Sequence, residues 1–173
     1  MGGVCSGYTV PKKILLTGPK GSGKTTLLYT WCVGGKDAKV PRTESFNVEM
    51  VHGPRGGQLL LVWDVTDPIR RRQFFHGTEA IVYMIDSRYL SDLDDVRDDL
   101  HVLLEDRDLK HLPVLLVLGK KDLTDMFSLD ELGKKLGLLE AMQSRQYDWV
   151  SVRKDDNRTY QTALYKLCEL IFS

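Results

Sequence analysis

The sequence has few cysteines and no excess of charge of either sign. Its three cysteines, Cys5, Cys32 and Cys168, are far apart and form no C-x-x-C pair. This spacing argues against a disulfide framework or a zinc site and favours reduced thiols in the cytoplasm. Lysine and arginine number 24, as do aspartate and glutamate, so the net charge is zero. Proteins that neutralise nucleic-acid phosphates are usually basic, so no nucleic acid is expected as a partner.

Long apolar runs and a secretory leader are also missing. No apolar stretch approaches the roughly eighteen residues that a membrane-spanning helix needs. The segment 1–11 lacks the basic start and apolar centre of a signal peptide. The chain has 173 residues, 42% of them apolar and 28% charged, which is typical of a globular protein rather than a disordered one. We therefore expect one folded domain over 13–173, preceded by an N-terminal tail over 1–12.

Short apolar runs and helical periodicity alternate along the chain. Two runs that flank the turn-rich segment 52–57 suggest an antiparallel hairpin, whereas the continuous runs AIVYMI and PVLLVL are typical of parallel strands buried on both faces. The order of elements predicts an α/β fold, a mostly parallel six-stranded sheet with one antiparallel edge hairpin and flanking helices. The predicted strands are 13–17, 46–51, 58–63, 80–85, 113–118 and 149–152, and the predicted helices are 25–33, 93–104, 128–137 and 160–171.

One glycine-rich segment satisfies the pattern G-x-x-x-x-G-K-[ST] in full. Glycines let the main chain wrap around phosphates, and the N-terminus of the following helix attracts their negative charge. The lysine would reach the outer phosphate oxygens and the hydroxyl would coordinate Mg²⁺. Because the segment follows a predicted strand and opens a predicted helix, we interpret it as the phosphate loop of an NTPase. Its nucleotide-binding residues are Gly18, Pro19, Lys20, Gly21, Ser22, Gly23, Lys24, Thr25 and Thr26, with Thr25 as a metal ligand.

Beyond this loop, most of the chain resembles the ADP-ribosylation-factor-like (Arf-like) small GTPases. The resemblance implies a small GTPase that binds GTP or GDP with Mg²⁺ and acts as a molecular switch in membrane traffic or signalling. It also implies protein effectors and regulators that bind the switch segments, and we expect a monomer. The segments that carry it are KTTLLY at 24–29, TESFNVE at 43–49, WDV at 63–65, IDS at 85–87, KDL at 121–123 and KLGL at 135–138.

The resemblance assigns roles to four further residues. Thr43 becomes the threonine of the first switch segment, which reaches both Mg²⁺ and the γ-phosphate. Asp64 would hold Mg²⁺ through water. Asp122 would accept hydrogen bonds from guanine, and Lys120 would lie along the base. Independently of the resemblance, Asp64 and Asp122 fall at the carboxyl ends of predicted strands, where open α/β sheets bind ligands.

Two motifs depart from the family's pattern. Where D-V-G-G-Q is usual, the chain reads DVTDP, so Asp67 replaces the glycine that senses the γ-phosphate and the water-positioning glutamine is missing. An acidic side chain would repel that phosphate unless it points away. Where N-K-x-D is usual, Gly119 replaces the asparagine that ties the base to the phosphate loop. Since phosphoryl transfer depends on positioning and charge, we expect slow hydrolysis and assign no catalytic residue.

These departures leave three functions open. The first is a slow GTPase switch, and the second is a pseudo-GTPase that serves as a membrane-tethered interaction module with little or no nucleotide cycling. A phosphate-loop ATPase or kinase is the third, although no acceptor site or lid is evident. The arginines at 70–72 would form a basic patch facing solvent or a partner, or would stabilise the γ-phosphate. The aspartates at 94, 95, 98 and 99 would form the wet face of a helix.

The N-terminal sequence MGGVCS matches the pattern M-G-x-x-x-[ST] for myristoylation at Gly2. One myristoyl chain binds membranes only marginally, so a second signal is needed, which palmitate on Cys5 would supply. We therefore expect a cytoplasmic protein that associates peripherally with a membrane. The segment is too short and glycine-rich for the amphipathic helix usual in the family.

Overall fold

The computed structural model describes residues 9–34, 45–86, 93–119 and 128–173. No helix within these ranges is long and apolar enough to cross a membrane. The strands are β1 (Lys12–Thr17), β2 (Phe46–His52), β3 (Leu59–Val65), β4 (Ala80–Asp86), β5 (Val114–Gly119) and β6 (Tyr147–Val152). The helices are α1 (Lys24–Val33), α2 (Leu93–Glu105), α3 (Leu129–Lys135), α4 (Leu138–Ala141) and α5 (Asn157–Phe172), and a short 3-10 helix covers Arg71–Phe74.

The six strands form a single sheet in the order β2-β3-β1-β4-β5-β6. Only β2 and β3 pair antiparallel, and the other neighbours are parallel. In β1, Leu15 pairs with Trp63 of β3 on one side and with Ile81 of β4 on the other. The predicted α/β fold with one antiparallel edge hairpin is therefore confirmed. The chain leaves β1 at the point where the strand order reverses, which is where such sheets bind ligands.

The central strands contribute apolar side chains to two cores, one on each face of the sheet, because successive side chains of a strand point to opposite faces. On one face, Met84 and Leu16 pack with the buried sides of α1 and α5. On the other face, Leu15 and Ile85 pack with α2, α3 and α4. The two cores lie on opposite faces of β1 and β4, and the carboxyl end of β1 leads directly into the glycine-rich segment.

The predicted helix over 128–137 corresponds to α3, and α4 is a separate short helix that follows it. Its predicted start is confirmed, since the Ser128 hydroxyl oxygen accepts a hydrogen bond from the Glu131 N–H at 3.2 Å and Glu131 accepts from the Ser128 N–H at 2.9 Å. The pKa of Glu131 is lowered by the Ser128 N–H and by the Ser128 hydroxyl, which donates to the same carboxylate oxygen at 3.1 Å. The break between the two helices falls at Gly137, which adopts a left-handed conformation with φ of 63°.

Candidate nucleotide-binding site

The glycine-rich segment connects the end of β1 to the start of α1. Gly18 has a φ of 136°, and a Cβ there would collide with the carbonyl oxygen of Met84 on β4. Glycine is therefore required for the loop to lie directly against the sheet. No side chain caps α1 at Gly23, and its first turn has no acidic residue. A helix N-terminus without its own carboxylate favours an external anion such as phosphate.

The Lys24 side chain folds over the loop. Its ammonium donates hydrogen bonds to the carbonyl oxygens of Gly18 at 2.9 Å and Pro19 at 2.8 Å. Lys24 is only 3% exposed. This burial lowers the pKa of Lys24, and the nearby carboxylates of Asp64 and Asp99 partly oppose the shift. A desolvated cation is thus positioned above the loop, where it would interact strongly with phosphate oxygens.

Thr25 and Asp64 are brought together from different elements. Thr25 lies in the first turn of α1, Asp64 lies on β3, and the Thr25 hydroxyl donates to an Asp64 carboxylate oxygen at 2.6 Å. Asp64 is completely buried. A hydroxyl beside one carboxylate is a donor set that suits Mg²⁺, which is usually held by one or two protein oxygens together with substrate phosphates. The structure therefore places side by side two residues that were assigned separately to Mg²⁺ from the sequence, and their roles as metal-binding residues stay predictions.

A further buried group lies in the loop itself. The Ser22 hydroxyl has no hydrogen-bond partner among the described residues, although Ser22 is only 1% exposed. Such a group is stabilised when a ligand supplies the missing partner. The loop, Lys24 and the Thr25–Asp64 pair together fit a phosphate ligand with Mg²⁺.

Five predicted site residues lie outside the described residues. They are Thr43 of the first switch segment, Lys120 and Asp122 for the base, and Gly2 and Cys5 for lipid attachment. Their roles stay predictions. The structure does describe Thr26, whose carbonyl oxygen accepts a hydrogen bond from the Thr30 hydroxyl at 2.7 Å inside α1.

Asp67 points back onto its own chain. One carboxylate oxygen accepts hydrogen bonds from the main-chain N–H groups of Ile69 at 2.9 Å and Arg70 at 3.4 Å. The side chain therefore acts as the cap of a helical turn that leads into the 3-10 helix. Asp followed by proline is itself a signature of a helix start, because proline suits the first helical position. The Asp67-Pro68 pair is therefore accounted for by the helical turn that it starts.

The predicted basic patch over 70–72 is wrong for Arg71. Its side chain is only 5% exposed, and its guanidinium contacts the Asp99 carboxylate at 2.6 and 2.9 Å. The Tyr83 hydroxyl donates to the same carboxylate at 2.7 Å. Burial raises the pKa of Tyr83 above its usual range, and the Asp99 charge adds to the shift. Asp99 therefore does not belong to the wet face of α2, because it balances a buried cation.

A cluster of aromatic side chains lies on the adjoining surface. Phe46 stacks on Trp63 with ring centroids 6.0 Å apart, and Phe74 contacts both rings at 4.9 and 5.5 Å. Phe46 is nevertheless 48% exposed. The Lys13 ammonium lies 5.0 Å from the Trp63 ring centre and donates to the Phe74 carbonyl at 2.7 Å. We call Phe46, Trp63 and Phe74 the aromatic cluster.

A cavity of about 580 Å³ lies at the opposite end of the sheet, near the start of β6. Two of its three basic side chains already have acidic partners, and the third, Arg145, donates to the carbonyl oxygens of Ala141 and Leu104. Lys166 pairs with Asp148 at 2.8 Å, and Arg55 pairs with Glu169 at 3.1 Å. Its size therefore does not outweigh the chemistry of the glycine-rich loop, and we place the ligand site at the loop.

A phosphate loop at the reversal point of a doubly wound sheet defines a P-loop nucleotide-binding protein. The model of the ADP-ribosylation factor family matches residues 5–171, and the chain belongs to that family. In fold it is similar to a solved structure of the Arl6 BBS3 small GTPase from Trypanosoma brucei with a bound nucleotide analogue, GppNp. That match has a TM-score of 0.74 and 18% identity, and covers 94% of this chain and 99% of the other. The expected family and the small GTPase fold are confirmed.

Proposed function

We propose that this protein is a guanine-nucleotide switch with Mg²⁺ as cofactor and with impaired GTP hydrolysis, acting in membrane traffic or signalling. The observation that carries the proposal is an asymmetry within one site. The phosphate loop, Lys24 and the Thr25–Asp64 pair are all in place, whereas the stretch 66–68 lacks the glycine and the glutamine expected there.

Each part of the described site has a defined task in this proposal. Lys24 and the N-terminus of α1 bind the phosphates. Thr25, with Asp64 acting through water, would hold Mg²⁺, which would neutralise charge on the phosphate oxygens. Asp67 uses its carboxylate to cap its own turn. Pro68 has no N–H and no polar side chain with which to orient a water molecule. The groups that bind nucleotide are therefore retained. Hydrolysis is slow because the glutamine that would position the attacking water is missing.

The aromatic cluster supports a partner surface beside this site. Phe46 is half exposed, and Ile69, on the turn that follows Asp67, is 89% exposed. Aromatic side chains that are partly exposed and already packed together are enriched in the centres of protein interfaces. We place effector or regulator binding on this surface, since it adjoins the segment that carries the nucleotide-sensing position.

The pseudo-GTPase remains the second candidate, and the Arg71–Asp99 ion pair favours it. That pair fastens the 3-10 helix to α2 through the protein's own charges. Arg72 adds a second link by its contact with Asp106 at 2.8 Å. A segment held in this way responds weakly to the γ-phosphate. The aromatic cluster would then be available to partners whichever nucleotide is bound.

Nucleotide release separates the two candidates. The protein is purified without added nucleotide and denatured, and the released small molecules are identified by chromatography. We expect near-stoichiometric guanine nucleotide, with GTP in excess of GDP because hydrolysis is slow. Folded protein with no nucleotide would support the pseudo-GTPase. Adenine nucleotide would contradict the assignment of guanine and would favour the ATPase or kinase.

We also propose that Gly2 is myristoylated and that Cys5 supplies a second acyl site, which would tether the protein to membranes. The motif at the N-terminus supports this proposal, and a two-signal anchor is the physical requirement for stable attachment. Metabolic labelling with an alkyne myristate in cells, comparing the natural chain with Gly2→Ala, tests it. Equal labelling of both chains would contradict it.

A further inference from the structure

Met84 occupies the space between the phosphate loop and the carboxyl end of β5. A Cβ built on Gly119, the last residue of β5, would lie 2.8 Å from the Met84 methyl carbon. A Cβ on Gly23, at the end of the phosphate loop, would lie 3.0 Å from the same methyl. Met84 is only 2% exposed, so this methyl is held in a closed space. It therefore contacts both segments because both lack a side chain there.

The phosphate loop approaches β5 closely at this point. The Cβ position of Gly119 is 3.2 Å from the carbonyl oxygen of Ser22 in the loop. A side chain at 119 would enter the space that Met84 fills, and its neighbours would have to move. Methionine is suited to such a gap because its unbranched thioether follows irregular shapes.

We propose that Met84 is a positioning residue for the phosphate loop and takes over, by packing, the link that an asparagine at 119 would make. Met84 and Gly119 then form a matched pair: the glycine makes room, and the methionine fills it and supports the loop from β4. This inference rests on the proposed function, since the loop is taken to hold nucleotide. It predicts that changing either residue alone lowers thermal stability and accelerates nucleotide release, whereas changing both together does neither.

A double-mutant cycle tests the pairing. Met84→Val, Gly119→Asn and the double variant are compared with the natural chain for thermal unfolding without nucleotide and for the rate of dissociation of fluorescent GDP. Ile81→Val, on the opposite face of the same strand, is the matched control for loss of a buried methyl group. We expect each single variant to unfold at a lower temperature and to release GDP about five- to tenfold faster. The double variant should recover the unfolding temperature and release GDP no faster than the natural chain.

The results distinguish this inference from the proposed function. Additive losses in the unfolding temperature of the double variant would show that the two residues are independent and would overturn the pairing. Recovery of the unfolding temperature with unchanged GDP dissociation in all variants would overturn the positioning role. If the natural chain binds no GDP, the proposed function fails, and the positioning role fails with it. If Ile81→Val accelerated GDP release as much as Met84→Val, the role of Met84 would also be overturned.

Discussion

The Arg71 guanidinium and the Asp99 carboxylate form a two-point ion pair, with contacts of 2.6 and 2.9 Å, between the segment after β3 and helix α2. Arg71 is 5% exposed and Asp99 29% exposed, so the pair is largely shielded from solvent. Each charge depends on the other, because an unpaired charge in this position would be strongly destabilising. The segment that should sense nucleotide is thus fastened by an interaction internal to the protein.

Removing Asp99 should destabilise the protein considerably. Breaking a buried ion pair from one side costs about 3–5 kcal/mol, and the partial exposure of Asp99 reduces this, so we expect a loss of about 2 kcal/mol for Asp99→Ala. Equilibrium unfolding in urea measures it. Asp98→Ala is the matched control, since Asp98 is 70% exposed and pairs with Arg97 at the surface. Its loss should stay below about 0.5 kcal/mol, and equal losses would show that burial of Arg71 carries no energetic weight.

Restoring the family's residues at 67 and 68 should raise the rate of hydrolysis. We expect Asp67→Gly with Pro68→Gln to increase single-turnover GTP hydrolysis by about tenfold or more, because the positioning group is regained. The glycine also removes the cap of the turn, at a loss of about 1 kcal/mol of stability. Asp67→Asn is the control, since an asparagine retains the cap without the charge. A rate that does not rise in the double variant would mean that another step limits hydrolysis.

Replacing Lys24 should abolish stabilisation by nucleotide. A ligand at one hundred times its Kd adds about 2.7 kcal/mol to the free energy of unfolding, and thermal unfolding with and without GDP and Mg²⁺ reports this gain. We expect the natural chain to gain stability and Lys24→Ala to gain almost none. Lys110→Ala, an exposed position away from the loop, should behave like the natural chain. A full gain in Lys24→Ala would contradict the assignment of the loop as the phosphate site.

The thiol of Cys168 should be unreactive in the folded protein. Burial raises its pKa from an ordinary 9.0 to about 11, with the Arg55 charge opposing the shift. At pH 8 we expect iodoacetamide to modify Cys168 at least about tenfold more slowly in native protein than in urea, as followed by peptide mass mapping. Because the folded pKa is the higher one, this thiol's contribution to stability is complete below pH 9 and declines as the pH rises to 11. Fast modification under native conditions would falsify the burial of this thiol.

The sequence by itself determined the class of fold and the place of the glycine-rich motif between a strand and a helix. Continuous apolar runs of six residues are typical of strands in a sheet covered on both faces, and the glycine pattern between a strand and a helix has one dominant physical use. The start of the helix at Ser128 was likewise predicted, because such a cap depends on residues only three positions apart. These features are local, so the order of residues is sufficient to predict them.

Only the tertiary structure decided the contacts of the charged residues and of the residues that differ from the family's motifs. Arg71 and Asp99 are 28 positions apart, and no periodicity shows that one neutralises the other. Met84 and Gly119 lie on neighbouring strands, and their match becomes visible only when the parallel register brings β4 and β5 side by side. The direction of the Asp67 carboxylate is set by the turn that it caps. A linear pattern records residue types and spacing, whereas burial and pairing arise from elements that meet only in the folded chain.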